Sequence, residues 1–290
     1  MQGPLGAGGR RPPLNAGGRR PPLNKNTRLC ISLAARPSNI GTRFHNHLYD
    51  VLGLDFIYKA FSTTDIAAAI GGVRALGIRG CSISMPFKED VIALVDEVEA
   101  SARAIHSVNT IVNDDGHLRA SNTDYLAVQR LIDEHHLDPS GRVLIRGSGG
   151  MASAVGAAFR DYGFRSGIVI ARNEESGRRL ADRLDYDYAT DVGSHIASVI
   201  VNVTPIGMAG ASEASERAFD EATIAAAKTV FDVVALPSET PLIKAAREAG
   251  VDVVTGAEVI ALQAAEQFER YTGVRPTAEL VAEASAISRA

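Results

Sequence analysis

The chain has no tryptophan, only two cysteines and no long apolar run. Two cysteines cannot build a disulfide framework. Cys30 and Cys81 sit in apolar, strand-like runs (RLCISL and GCSISM), where they read as buried free thiols of a reducing compartment, so the expected location is cytoplasmic. No window approaches the ~20 consecutive apolar residues of a membrane helix. Neither sign of charge predominates, with 30 basic and 34 acidic residues. A net charge of −4 excludes the basic surface of a general nucleic-acid binder. Metal-ligand clusters are missing too. His45 and His47 form H-x-H, but FHNHLYDVLG reads as helix, where positions i and i+2 diverge. The acids are scattered, so no metal is expected.

What is present fits a globular protein with a real core. Of the 290 residues 46% are hydrophobic and 22% charged, enough for one large domain or two of ordinary size. The first 26 residues stand apart. AGGRRPPLN occurs at 7–15 and again at 16–24. Its Gly and Pro density, with no acid and no aromatic, predicts a disordered tail over 1–26 without the apolar core of a secretory signal.

From residue 27 the pattern alternates. Strand-like runs RLCISL, DFIYKAF, IRGCSIS and SVNTIV are separated by helical patterns such as TTDIAAAIGGVRALG, which Thr63 or Thr64 would cap. NDDGHLRASNT reads as a hairpin through Asp114, Asp115 and Gly116. A second series, RVLIRG, SGIVIAR, ASVIVNVT, TVFDVVA and VDVVTG, alternates with helices in the same way, and two helical segments close the chain. Strands separated by helices predict parallel sheets. The expected fold class is α/β with two domains and a cleft between them. Residues 27–122 plus 257–290 form the N-terminal α/β unit, and 123–256 form a Rossmann unit.

RVLIRG runs into GSGGMASAV. Gly147, Gly149 and Ala152 fit G-x-G-x-x-[G/A], with Ser148, Gly150 and Met151 between them. Such glycines give a tight turn and let backbone N–H groups approach a pyrophosphate at the helix N-terminus. The position between a strand and a helix makes this a dinucleotide site. At the end of the next strand an NAD site usually has an acid for the ribose hydroxyls. Here Arg172 and Asn173 stand there, and an arginine suits a 2′-phosphate, so NADP is favoured over NAD. Glu174 and Glu175 follow, and either could reach a ribose instead.

Lys88 in SISMPFKED follows a strand, on the first turn of a helix that Pro86 would start. Asn109 lies in SVNT, and Asn122 and Asp124 lie in SNTD. Taken singly, Lys88 reads as a surface lysine and Asp124 as a helix cap. Together with the glycine loop, with Asn202-Val203-Thr204-Pro205-Ile206-Gly207-Met208 and with Gln263-Ala264-Ala265, the chain from about residue 28 onward resembles the shikimate dehydrogenases, nearest to their shikimate dehydrogenase-like subgroup. The resemblance implies a substrate domain followed by a Rossmann domain. It implies NADP-linked, reversible oxidation of a cyclohexene polyol carboxylate such as shikimate to its ketone. Lys88 and Asp124 match the catalytic pair, and Asn109 and Gln263 match substrate contacts. Ser84 stands where the family has a hydroxyl residue. Thr204 and Met208 match positions near the nicotinamide, and Gly256 lies at the turn before the final helices. A lysine beside the carbinol oxygen takes its proton or stabilises alkoxide character, with the acid fixing the ammonium.

Two departures touch the substrate rather than the lysine–aspartate pair. The family's Ser-x-Ser element, which holds the substrate carboxylate, falls on Asn39 and Gly41 in RPSNIGTRFHN, with Ser38 and Thr42 the nearest hydroxyls and Arg36 the nearest cation. Ala235 stands where the family commonly has tyrosine. Quinate, an amino analogue or another hydroxy acid therefore remains open as substrate, as does a ligand-binding sensor on the same fold. The expected partner is a small cyclic hydroxy acid. A homodimer is compatible with the sequence.

Overall fold

The computed structural model describes residues 19–289. The first half runs β1 (Arg28–Ala34), α1 (Ile40–Val51), β2 (Phe56–Ser62), α2 (Ile66–Ala75), β3 (Gly80–Ile83), a 3-10 turn (Asp90–Leu94), β4 (Glu97–Val98), α3 (Ala100–Arg103), β5 (Thr110–Asp114) and β6 (His117–Ser121). They form one sheet in the order β2-β1-β3-β5-β6-β4. β1 lies parallel to both β2 and β3, with Cys30 between Tyr58 and Gly80. Both thiols are buried and free.

The hairpin expected at Asp114–Gly116 is present and makes this sheet mixed rather than parallel throughout. β5 pairs antiparallel with β3 and with β6. The β5–β6 turn holds Asp115 and Gly116 at φ of +54° and +95°. A two-residue turn can only return the chain antiparallel, so the hairpin makes this sheet mixed. α2 is also capped differently from expectation. Asp65 accepts from the Ala68 N–H at 2.9 Å, while the Thr63 hydroxyl receives the Asp65 N–H at 3.1 Å and closes the turn ahead of the helix.

The second half runs α4 (Thr123–Glu134), β7 (Arg142–Arg146), α5 (Gly150–Tyr162), β8 (Ser166–Ile170), α6 (Glu174–Leu184), β9 (Asp187–Ala189), β10 (Val199–Asn202), α7 (Glu221–Ala226), β11 (Thr229–Asp232), α8 (Pro241–Glu248), β12 (Asp252–Val254), α9 (Gly256–Thr272) and α10 (Ala278–Arg289). Its sheet is parallel throughout, in the order β12-β11-β10-β7-β8-β9. The order reverses between β7 and β10, and such a switch point opens a crevice at the carboxyl ends of the strands. Alternating side chains feed two cores. Val143, Ile145, Val169 and Val201 pack with α4 and α5, while Leu144, Ile168, Ile170 and Ile200 pack with α7 and α8.

α9 belongs to both halves. A capping box of Thr255 and Glu258 starts it. Val259 enters the core of the second half, whereas Ala265, Phe268 and Tyr271 enter that of the first. Gly80 allows this approach, because a Cβ there would lie 2.3 Å from the Tyr271 ring.

Residues 1–18 of the expected tail lie outside the described residues. For residues 19–26 that expectation is corrected. The Arg20 guanidinium donates to Asn46 Oδ1 and to the Phe56 carbonyl, both at 3.2 Å, and pairs with Asp50 at 3.1 Å. Three acceptors converging on α1 and β2 hold that arginine in place. No described helix is long and apolar enough to cross a membrane.

Candidate active site

After β3 the chain is pinned to its neighbours. Ser84 N–H donates to the Leu33 carbonyl at 2.9 Å, and the Met85 carbonyl accepts from Ala35 N–H at 3.2 Å. The Met85–Pro86 bond is cis. Lys88 sits on a turn rather than on a helix, with its carbonyl accepting from Val108 N–H at 2.8 Å. Opposite it, Asn122 caps α4 by accepting from Tyr125 N–H at 3.0 Å, and its amide nitrogen donates to the Ser107 carbonyl at 3.0 Å. That cap places Asp124 in the first helical turn, where the helix dipole favours a carboxylate. Lys88 Nζ meets Asp124 Oδ2 at 3.0 Å, with the two side chains 31% and 18% exposed. The pair is therefore fixed yet still reachable.

Asn109 is buried beside this pair, and the backbone decides which of its amide atoms is which. Its Oδ1 accepts the Thr123 N–H at 2.8 Å, so this atom is the oxygen. It also accepts the hydroxyls of Thr110 and Thr123 at 2.9 and 3.1 Å. The Asn109 amide nitrogen donates to no described residue. The Thr123 hydroxyl has given its proton to Asn109, so it accepts from Gln263 Nε2 at 3.1 Å. Gln263 thus keeps its carbonyl oxygen for something else. Gln267, one turn further along α9, donates to Thr110 Oγ1 at 2.9 Å and locks the same network. Sequence reasoning missed Gln267; its spacing of four from Gln263 on a helix was the available signal.

Ser84 and Gln263 border a cavity of about 480 Å³ between β1, α1, α9 and α10, a size suited to a small molecule. Of the polar segment, Arg36, Ser38, Gly41 and His45 line it. Asn39 and Thr42 do not. Asn39 is exposed at the start of α1 without making a side-chain cap, and the Thr42 hydroxyl is buried with no partner. The helical period explains the split, since Gly41, Phe44 and His45 share one face and Thr42 turns away from it. Gly41 lies against the Tyr58 ring, with its missing Cβ 3.4 Å from that ring. Arg36 is the only arginine or lysine on the cavity wall and is unpaired among the described residues. His45 carries no charge near neutrality, because burial pushes its imidazole down from 6.5 to about 3.

A second cavity, of about 330 Å³, opens at the switch point and is bordered by Gly147, Ser148, Gly149, Arg172, Asn173 and Thr204. Gly147 has φ of +128°, and a Cβ there would come within 2.8 Å of Val203. Gly149 and Gly150 differ, because a Cβ on either would meet nothing within 4 Å. Their open space at the N-terminus of α5 is the room a pyrophosphate needs, so these residues fit a dinucleotide. Ala152 is wholly buried and Met151 packs partly against the same core, so both serve the helix–sheet contact. Asn173 spends its side-chain oxygen capping α6, accepting from Ser176 N–H at 2.9 Å. Arg172 is 79% exposed and pairs with Glu213 at 3.4 Å.

The NVTPIGM loop is shaped from beneath. Thr204 donates to Asn202 Oδ1 at 2.6 Å, and Asn202 Nδ2 donates to Asp232 Oδ1 at 3.0 Å. Asp232 also accepts from Val234 N–H at 3.0 Å and from Thr240 at 2.7 Å. Burial raises its carboxyl from 3.8 to about 6. Met208 is 41% exposed and borders neither cavity. Gly256 is buried under the chain, with a Cβ position 2.4 Å from the Val234 backbone, so it serves the start of α9. Arg146 borders the second cavity and was not singled out from sequence. A charge closing the apolar run Val143–Ile145, one residue before the glycine loop, was its signal.

A glycine-rich cradle on one sheet and a lysine–carboxylate pair at a strand end of the other make this fold a nicotinamide-dependent oxidoreductase of two α/β halves. A family model described as shikimate dehydrogenase substrate binding domain matches residues 39–111. A shikimate dehydrogenase-like protein of Haemophilus influenzae is 55% identical over 91% of this chain and 98% of its own. A solved structure of a shikimate 5-dehydrogenase-like protein superposes with a TM-score of 0.91 at 55% identity, covering 92% of this chain and all of that one (100%). The shikimate 5-dehydrogenase of Thermus thermophilus, solved in complex with NADP(H) and shikimate, superposes with a TM-score of 0.79 at 25% identity over 90% of this chain and 99% of that one. The chain belongs to the shikimate dehydrogenase family.

Proposed function

We propose that this chain interconverts shikimate, or a closely related cyclic polyol carboxylate, with its 3-dehydro ketone, using NADP. The observation that carries the reading is the 3.0 Å contact of Lys88 with Asp124 beside the free amide of Asn109. Residues 27–122 with 257–290 are read as the substrate unit and 123–256 as the dinucleotide unit. Bound NADP would supply the hydride acceptor and, reduced, the donor. The oxidation releases one proton from the carbinol oxygen, and the Lys88–Asp124 pair takes it up. In the reverse direction the same pair returns it. A lysine and an acid this close titrate together, so the proton belongs to the pair.

The remaining groups orient the ring. Asn109 offers two N–H donors and Gln263 one carbonyl acceptor, a complementary set for adjacent ring hydroxyls. Arg36, with Ser38 and Ser84 on the same cavity wall, would hold the carboxylate. This supports a seat that relies on a guanidinium where the family uses paired hydroxyls. Gly147, Ser148, Gly149 and Gly150 would hold the pyrophosphate, Arg172 and Asn173 the adenosine end, and Thr204 the nicotinamide side. The reading is compatible with a cytoplasmic protein and with a homodimer; light scattering on the purified protein tests the dimer.

Lys88→Ala tests the assignment. Turnover of shikimate should fall by about 10²- to 10⁴-fold while NADPH still binds. Turnover equal to that of the parent protein would sink the reading. The same assay run against quinate and amino analogues identifies the acid that the Arg36 seat prefers.

A further inference from the structure

Arg146 closes β7 with its side chain on the same face as Leu144, at the edge of an apolar core. Such a place costs a cation part of its hydration. Its guanidinium donates to the Ala218 carbonyl, and it forms no ion pair among the described residues. Burial and the neighbouring Arg172 hold it below the ordinary arginine value, opposed by Glu213 and Glu216. Both arginines border the same 330 Å³ cavity, together with the polar edges of Ser148, Asn173 and Thr190. Arg172 has only an exposed pairing with Glu213. Of the two, Arg146 is partly desolvated and has no described carboxylate in contact, although Glu216 and Asp220 border the adjoining cavity that it also lines. A phosphate dianion supplies what is missing, since its oxygens accept from several guanidinium N–H groups at once.

We propose that Arg146 and Arg172 together seat the 2′-phosphate of NADP, with Glu213 pairing Arg172 until the phosphate displaces it. This rests on the dinucleotide reading of the cavity and adds a second arginine to it. Arg146 stands at the carboxyl end of β7, an interior strand, and Arg172 at the surface. The first is held by its carbonyl contact, so little side-chain freedom is lost on binding. The second swings from Glu213 to the phosphate.

The test is fluorescence titration of the full chain with NADPH and, separately, NADH. In Arg146→Gln, NADPH affinity should fall about ten- to hundredfold, the worth of charge-assisted hydrogen bonds, while NADH affinity stays within about twofold. Arg146→Lys should recover part of the loss. Glu213→Gln should tighten NADPH by a few-fold and leave NADH unmoved. Equal weakening of both nucleotides by Arg146→Gln, or no change in either, would overturn the proposal. So would a Glu213→Gln protein with unaltered NADPH affinity. A parent protein that binds neither nucleotide would overturn the cavity reading itself, a result distinct from failure of the Arg146 variants alone.

Discussion

Replacing His45 with phenylalanine should flatten the acid limb of the protein's stability curve. His45 is 1% exposed. Its ring stacks on Tyr58 with centroids 4.4 Å apart and planes at 12°, and Tyr49, Phe268 and Tyr271 complete the surround. None of these rings carries charge in acid, and Nδ1 has no partner. Burial dominates, and the Gln267 side chain opposes it only in part. The folded value of about 3 lies below the ordinary 6.5. The sign follows from proton linkage. Between those values the unfolded chain binds the extra proton, so the stabilisation present above pH 6.5 is lost as pH falls toward 3. From pH 7 to 4.5 the loss is about 2.5 kcal/mol, a large part of a typical domain's 5–15 kcal/mol. Urea unfolding at pH 7, 6, 5 and 4.5 measures it. His45→Phe keeps an aromatic stack and removes the titration, so its stability should fall by about 2.5 kcal/mol less over this range than the parent's. Parallel curves for the two proteins would refute the reasoning, because His45 would then not be held neutral by burial.

Arg36→Gln should raise KM for the acid substrate about ten- to hundredfold with kcat changed little, as loss of a charged contact made in both ground and transition states requires. Steady-state kinetics on the acid and its uncharged methyl ester separates this from a general defect, since the ester should not respond. Gly147→Ala forces an L side chain to φ of +128° against Val203. It should cost roughly 2–4 kcal/mol and weaken NADPH binding, read by thermal melting and titration.

Much of this was legible beforehand. Strand runs alternating with helices, and glycines placed between RVLIR and a helix, leave few folds open, because backbone geometry dictates both patterns. Lys88 and Asp124 were visible as a pair only through the order of several motifs, since neither short stretch carries its partner. The polar segment RPSNIGTRFHN was harder. Which of its side chains reach the cavity depends on the phase of α1, and a shift of one residue decides that Gly41 and His45 face inward while Thr42 does not. The mixed sheet was within reach, since the hairpin at Asp115–Gly116 already implied an antiparallel return. Arg146 was hidden for another reason. Its meaning comes from Arg172, and β7 meets the end of β8 only once the sheet has formed.

α9 sets a limit on how this chain can be divided or recombined. Its first turn closes one core and its last turns close the other, while Gln263 between them braces Thr123. A chimera that imported a foreign dinucleotide unit by exchanging residues 142–254 would have to fit the graft to the near end of α9 without disturbing the far end. Cofactor preference is therefore more readily moved by exchanging single side chains at the strand ends than by shuffling whole segments.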